Sequence, residues 1–187
     1  MTWQDRNSYG LDIMRLRRTT GHEKRGYFQV SQSDCDDRDP SISGHVVVWQ
    51  RACPRITGPS YRSISGYDLE QGVEFLVYDG EGQNAFPKVE TNYVVWLAQY
   101  GDVRGGRGAV GIPTAQNLET GENWQLGAAR EAISIGLSGG VAWWRRAGPT
   151  PMYDLETKGY RLHLVKAPRS SGRRRREHCL PRGTTRR

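Results

Sequence analysis

Residues 136 to 140, Gly-Leu-Ser-Gly-Gly, satisfy G-x-S-x-G, the spacing that exposes a nucleophilic serine where a strand turns sharply into a helix. Here Val-Ala-Trp-Trp follows at 141 to 144, which predicts another strand and leaves Ser138 at an ordinary turn. Residues 106 to 111, GRGAVG, match G-x-G-x-x-G, a dinucleotide fingerprint only when it joins a strand to a helix. No helical pattern follows, so a flexible loop is the reading. The four histidines (22, 45, 163 and 178) are scattered, with neither H-E-x-x-H nor paired His/Cys spacing for zinc. Asp34, Asp36, Asp37 and Asp39 concentrate oxygen ligands, but their stretch lacks the glycine and terminal glutamate of an EF-hand loop and reads as a solvated loop. No catalytic residue, metal site or cofactor is expected, and the chain is read as a non-enzyme.

What must position any site is a repeat. Trp3, Trp49, Trp96 and Trp144 are spaced 46, 47 and 48 residues apart. The flanking sequence repeats with them: DPSIS and FPKVE precede a tryptophan, and YDLEQG (67 to 72), QNLETG (116 to 121) and YDLETKG (153 to 159) follow one, each ending in a turn glycine. MRLRRTTG (14 to 21) is the weakest copy. Short alternating apolar runs come next, as in VEFLV and YRLHLV, and no sustained i, i+3, i+4 pattern exists anywhere. Four short β-prone segments per period is the arithmetic of an all-β propeller of about four roughly 47-residue, four-stranded blades. The tryptophan then falls on the second strand, in the core between blades. Ser138 occupies the repeat position of Ser43, which strengthens its reading as a turn residue.

The P-x-I-S-G, V-V-W and Y-D-L-x-T-G pattern resembles the extracytoplasmic bacterial β-propeller repeats related to the TolB-type propeller and to repeats of large cell-surface proteins, over residues 1 to about 165. The resemblance implies a non-catalytic platform binding a protein, peptide or glycan in a periplasmic or cell-surface setting. It equally admits an accessory propeller of a peptidase or glycosidase whose catalysis lies elsewhere. Two departures stand out. The Ser-Pro-Asp-Gly turn is missing, and the fourth unit is short: Trp144 to Leu155 is 11 residues, against 20 from Trp49 to Leu69 and 22 from Trp96 to Leu118.

The first unit starts at its second strand, so it lacks an inner strand. APRSSG (167 to 172) imitates DPSISG (39 to 44), but RRRREHC follows where an apolar strand is needed. An incomplete propeller, part of a larger ring, is therefore expected, with self-association through open blade edges. Met1 is followed at once by repeat sequence, so no signal peptide is expected in this chain, and no run of 18 apolar residues spans a membrane.

The net charge of +7 belongs to the end of the chain. Residues 166 to 187 hold nine Lys/Arg against Glu177, leaving 18 basic and 19 acidic residues in 1 to 165. Residues 166–187 read as a basic disordered tail, with nucleic-acid contact through it as the weaker alternative. Because Arg outnumbers Lys 23 to 4, specific phosphate recognition is not inferred from it.

Cys35 precedes the inner strand of the second blade and Cys53 follows its second strand, so both emerge at one end of the sheet; a disulfide and two free thiols both fit this placement. Cys179 falls in the tail. The same end carries the long connections, 51 to 62 and 97 to 110, where binding residues usually sit on a rigid scaffold. The candidate contacts are Arg51, Arg55, Tyr61, Tyr100, Asp102, Arg104 and Arg107, Arg and aromatic types that interfaces favour.

Overall fold

A computed structural model describes residues 2–6, 11–17, 26–31, 33–53, 61–80, 82–102, 109–127, 131–146 and 150–161. Every helix or strand element among them is a β-strand, and consecutive strands pair antiparallel into four sheets. The first sheet has three strands, β1 (Thr2–Arg6), β2 (Leu11–Arg17) and β3 (Gly26–Gln29). The second has β4 (Asp36–Ser43), β5 (Val46–Cys53), β6 (Tyr61–Asp68) and β7 (Val73–Tyr78). The third has β8 (Ala85–Glu90), β9 (Tyr93–Asp102), β10 (Ala109–Asn117) and β11 (Asn123–Gln125). The fourth has β12 (Ser134–Ser138), β13 (Val141–Arg145), β14 (Met152–Asp154) and β15 (Gly159–Arg161). The repeat tryptophans fall on β1, β5, β9 and β13, so among the described residues the first sheet has no strand on the side where β4, β8 and β12 precede the tryptophan strand in the other sheets.

Alternation decides which face of each sheet meets which neighbour. Trp49, Trp96 and Trp144 are fully buried, each pointing back at the preceding sheet. Trp49 and Val47 pack with Ile13 and Val30 of the first repeat. Trp96, Val94 and Ala98 meet Val46, Val48, Ile64 and Val77 of the second sheet. Trp144 and Ala142 meet Val95, Leu97 and Ala115 of the third. The residue just before each tryptophan therefore points forward, to receive the next sheet. Fully burying an aromatic of this size contributes several kcal/mol through surface removal and close packing, on the order of the 3–5 kcal/mol lost in core Trp→Ala changes.

The YDL motif explains the turn between third and fourth strands. Asp68, Asn117 and Asp154 each accept two backbone N–H bonds through Oδ1: from Glu70 and Gln71, from Glu119 and Thr120, and from Glu156 and Thr157, all at 2.8–3.3 Å. The leucine that follows fastens the turn to the first hairpin of its own sheet, with N–H bonds from Leu69 to the His45 carbonyl, Leu118 to Asn92 and Leu155 to Gly140. Four residues after the Asp or Asn the chain enters the left-handed region at Gly72 and Gly121 (φ 72° each). In the fourth sheet that position is Lys158 (φ 50°), so Gly159 is not the turn glycine that YDLETKG suggests. Lys158 instead reaches across to the third sheet, its Nζ 2.7 Å from Glu122 and 4.9 Å from the centre of the Trp124 ring.

Neighbouring sheets are also stitched by hydrogen bonds between their inner strands. Ser41 Oγ accepts from Val89 N (3.2 Å), Ser43 Oγ from Thr91 N (3.1 Å), and the Glu90 carboxylate from Gly139 N and Gly140 N (3.0 and 2.9 Å). Ser138 is exposed, and its turn leads into strand β13. Residues 166–187 lie outside the described residues.

Candidate functional site

The sheets present two ends. One carries the tight turns within each hairpin pair; the other carries the connections between second and third strands and between sheets. At this loop end Cys35 and Cys53 form a disulfide, with their Cα atoms 4.4 Å apart, which settles the choice between a bond and two thiols. Strand pairing brings this about, because β4 and β5 run antiparallel and hold Asp36 opposite Ala52.

The strands extend further into the connections than the sequence suggests. Arg51 lies within β5 and Asp102 within β9, while Tyr61 opens β6. The acidic stretch is a loop only at Asp34, which is exposed: Asp36, Asp37 and Asp39 belong to β4, and Asp37 is fully buried. Cross-strand register is the reason, since it sets Asp37 directly opposite Arg51. The Arg51 guanidinium donates to both oxygens of Asp37 (2.8 and 3.0 Å), to Glu74, and stands 5.4 Å from the centre of the Trp49 ring. Burial alone would lower the guanidinium's pKa; its hydrogen bonds and charge contacts with Asp37 and Glu74 outweigh that and raise it. Arg51 is thus committed to the scaffold.

A second copy of this arrangement, which sequence reasoning missed, occurs two sheets on. Arg146 stands two residues after Trp144, as Arg51 does after Trp49, and its Nη1 lies 2.7 Å from Glu131. Glu131 also accepts from Trp144 Nε1 at 3.2 Å. The shared signal is Trp-x-Arg, WQR and WRR, with an acid 14 or 15 residues before the Arg.

Tyr100 is half-buried in β9, its ring set edge-on to Phe86 at 5.1 Å and its N–H donating to the Gln83 carbonyl at 2.6 Å. Arg55, Arg104 and Arg107 lie outside the described residues, as do the side chains of Tyr61 and Asp102.

The turn end has a groove of about 390 Å³ between the third and fourth sheets, lined by Glu90, Asn92, Tyr93, Asn117, Glu119 and Glu156. Its acidity is largely spent internally: Glu90 holds the Gly139 and Gly140 amides, and Glu119 accepts from Asn92 Nδ2 at 2.6 Å. Nearby in the second sheet, Asp68 is held below the ordinary carboxylate range, chiefly by the Gln71 amide and then by the Glu70 amide and His45, against some opposing desolvation. Among the described residues no group of three or more His, Cys, Asp or Glu is arranged to hold a metal ion, and no helix is long and apolar enough to cross a membrane.

No protein-family model matches the chain, and no curated protein does. Solved structures do. The β-propeller domain of the trilobed protease from Pyrococcus furiosus, described as having an open velcro topology, aligns with a TM-score of 0.52 at 12% identity, over 67% of this chain and 41% of that one. TolB from Acinetobacter baumannii aligns with a TM-score of 0.50 at 14% identity, over 80% of this chain and 36% of that one. The fold is that of β-propeller blades, one three-stranded and three four-stranded, in an incomplete ring, and this chain spans less than half the length of either neighbour. At such identity the likeness concerns fold alone.

Proposed function

We propose that the chain is a propeller binding platform, without catalysis of its own, which presents its loop end to a protein, peptide or glycan in an extracytoplasmic setting. The Cys35–Cys53 disulfide carries this reading. It belongs to an oxidising compartment, and it pins the second blade at the point where the chain leaves β5 for residues 54–60. In sequence, β9 and β10 flank residues 103–108 as β5 and β6 flank residues 54–60, so both long connections start and end on paired strands. Tyr61, Tyr100 and Asp102 stand at the feet of these connections, and Arg55, Arg104 and Arg107 fall within them. Arg51 supports the platform from below.

The test is binding of the oxidised chain to a glycan array and to a displayed peptide library, run beside hydrolysis assays on chromogenic peptide and glycoside substrates. Binding that weakens about tenfold in Tyr100→Ala, with no turnover, is the expected result; a loss of about 1.4 kcal/mol corresponds to that factor. Turnover by the wild-type chain would overturn the non-catalytic reading, and binding unchanged by Tyr100→Ala and by Arg104→Ala/Arg107→Ala would overturn the loop-end site.

A further inference from the structure

Two of the inner strands carry the same kink. The pairing of β4 with β5 slips by one extra residue between Arg38 and Ser41, and that of β8 with β9 does so between Ala85 and Lys88. At each slip one residue enters the left-handed region, Asp39 (φ 54°) and Phe86 (φ 56°), and a proline follows it, Pro40 and Pro87. A side chain makes that backbone costly, and a following proline adds its own restriction, because its ring crowds the preceding residue and pushes it towards extended backbone. Recurrence at one repeat position makes the kink a property of the fold. Its surroundings hold it in place. Two residues before Asp39, the Asp37 carboxylate is gripped by Arg51; two residues after, Ser41 Oγ accepts from Val89 N of the next sheet at 3.2 Å. Backbone strain persists where flanking contacts over-determine it, and it concentrates where it serves a mechanism.

The two kinks differ in what they carry. Phe86 sets its ring against Tyr100, whereas Asp39 brings a carboxyl group to the strained bond, and Asp39-Pro40 is the one Asp-Pro pair in the sequence. We propose that the Asp39–Pro40 peptide bond is a self-cleavage site. The Asp39 carboxyl group attacks the carbonyl carbon of its own residue, an intramolecular step that needs no partner to be brought up. Its proton passes to the Pro40 nitrogen, which leaves with the electron pair of the broken C–N bond. Water then opens the cyclic anhydride, giving a C-terminal Asp39 and a free Pro40 amine, with one water consumed. As the carbonyl carbon becomes tetrahedral the peptide plane is lost and the proline ring moves away from Asp39, so the strain is released in the reacting state. Asp39 and Pro40 are both half-buried, which leaves the bond within reach of water. The disulfide spans the cut. Cys35 lies in the fragment 1–39 and Cys53 in the fragment 40–187, so the nicked chain stays one covalent molecule until the bond is reduced. The first sheet is then held by noncovalent contacts, such as those of Ile13 and Val30 with Val47 and Trp49. This is a single event on the chain's own backbone, without turnover, and does not depend on the ligand proposed for the loop end.

The test incubates the oxidised full chain in mildly acidic buffer, native and urea-unfolded side by side, with circular dichroism checking the fold. Mass spectrometry reads the products. The unreduced chain should gain the mass of one water, and reduction should release fragments ending at Asp39 and beginning at Pro40. The native chain is expected to cut about 10- to 100-fold faster than the unfolded one, the factor that strain of this kind supplies when it is released. Asp39→Asn keeps a residue tolerant of the left-handed region but removes the carboxyl group, and should abolish the cut. Pro40→Ala keeps the carboxyl group but relieves the crowding, and should slow the cut by about tenfold or more. An intact native chain, a rate in urea equal to or above the native rate, a cut that survives Asp39→Asn, or an unchanged rate in Pro40→Ala would each overturn the proposal.

Discussion

The guanidinium of Arg51 and the carboxylate of Asp37 face each other across β5 and β4 in a two-pronged grip, Nε to Oδ1 at 2.8 Å and Nη2 to Oδ2 at 3.0 Å. Asp37 has no exposed side-chain surface, so removing its partner strands a charge in the sheet. Arg51→Ala is expected to destabilise the fold by roughly 3–5 kcal/mol, and the Asp37→Asn/Arg51→Met double variant by clearly less. Urea unfolding of the two variants checks this; equal losses would mean that the grip adds nothing beyond packing.

Opening the Cys35–Cys53 bond frees a loop whose ends are 18 residues apart. Cys35→Ser/Cys53→Ser should lose about 3 kcal/mol, the scale of loop-closure entropy for a ring of this size. Differential scanning calorimetry with and without reductant should give matching shifts for wild type and no effect of reductant on the double variant.

Thr91 occupies the first turn of the third sheet at φ 50°, where the second and fourth sheets have Gly44 (φ 56°) and Gly139 (φ 59°). A β-branched residue there is strained, and Thr91 is exposed, so its side chain has little packing to lose. Thr91→Gly is expected to gain about 1 kcal/mol, or about 2–4 °C in Tm for a chain of this length. A lower melting temperature would show that the strain is outweighed.

The depressed pKa of Asp68 sets a pH dependence. Because the folded value lies below the unfolded value of about 3.9, its contribution is fully present above that pH and is lost as pH falls through the folded value. The third sheet already has an uncharged residue, Asn117, in the same turn. Asp68→Asn should therefore keep the fold at neutral pH and flatten the acid limb of stability below about pH 4. The urea midpoint as a function of pH measures this, and an acid limb as steep as that of wild type would refute it.

The tryptophan period made the sheets legible because burial repeats with strand alternation: Trp49, Trp96 and Trp144 all fall at the same buried position between sheets. Turn chemistry was legible for the same reason at Asp68 and Asn117. Partnerships across strands were not. Asp37 and Arg51 look like solvated charges until pairing sets them opposite one another, and nothing local in SDCDDRD marks which aspartate turns inward. Lys158 was hidden by an adjacent glycine, which offered a turn residue one place too late. The Glu90 latch on Gly139 and Gly140 joins residues about 50 apart, a relationship that depends on the placement of whole sheets.

The core tryptophans also give each junction its own optical signature. Trp96 sits with its ring centre 5.0 Å from that of Tyr78, Trp49 lies beneath a guanidinium, and Trp144 donates to a carboxylate. The indole N–H groups of Trp49 and Trp96 have no acceptor among the described residues. Three chromophores in three different electrostatic settings should emit at different wavelengths, so single Trp→Phe replacements would turn steady-state fluorescence into a map of which boundary between sheets parts first as the array comes undone.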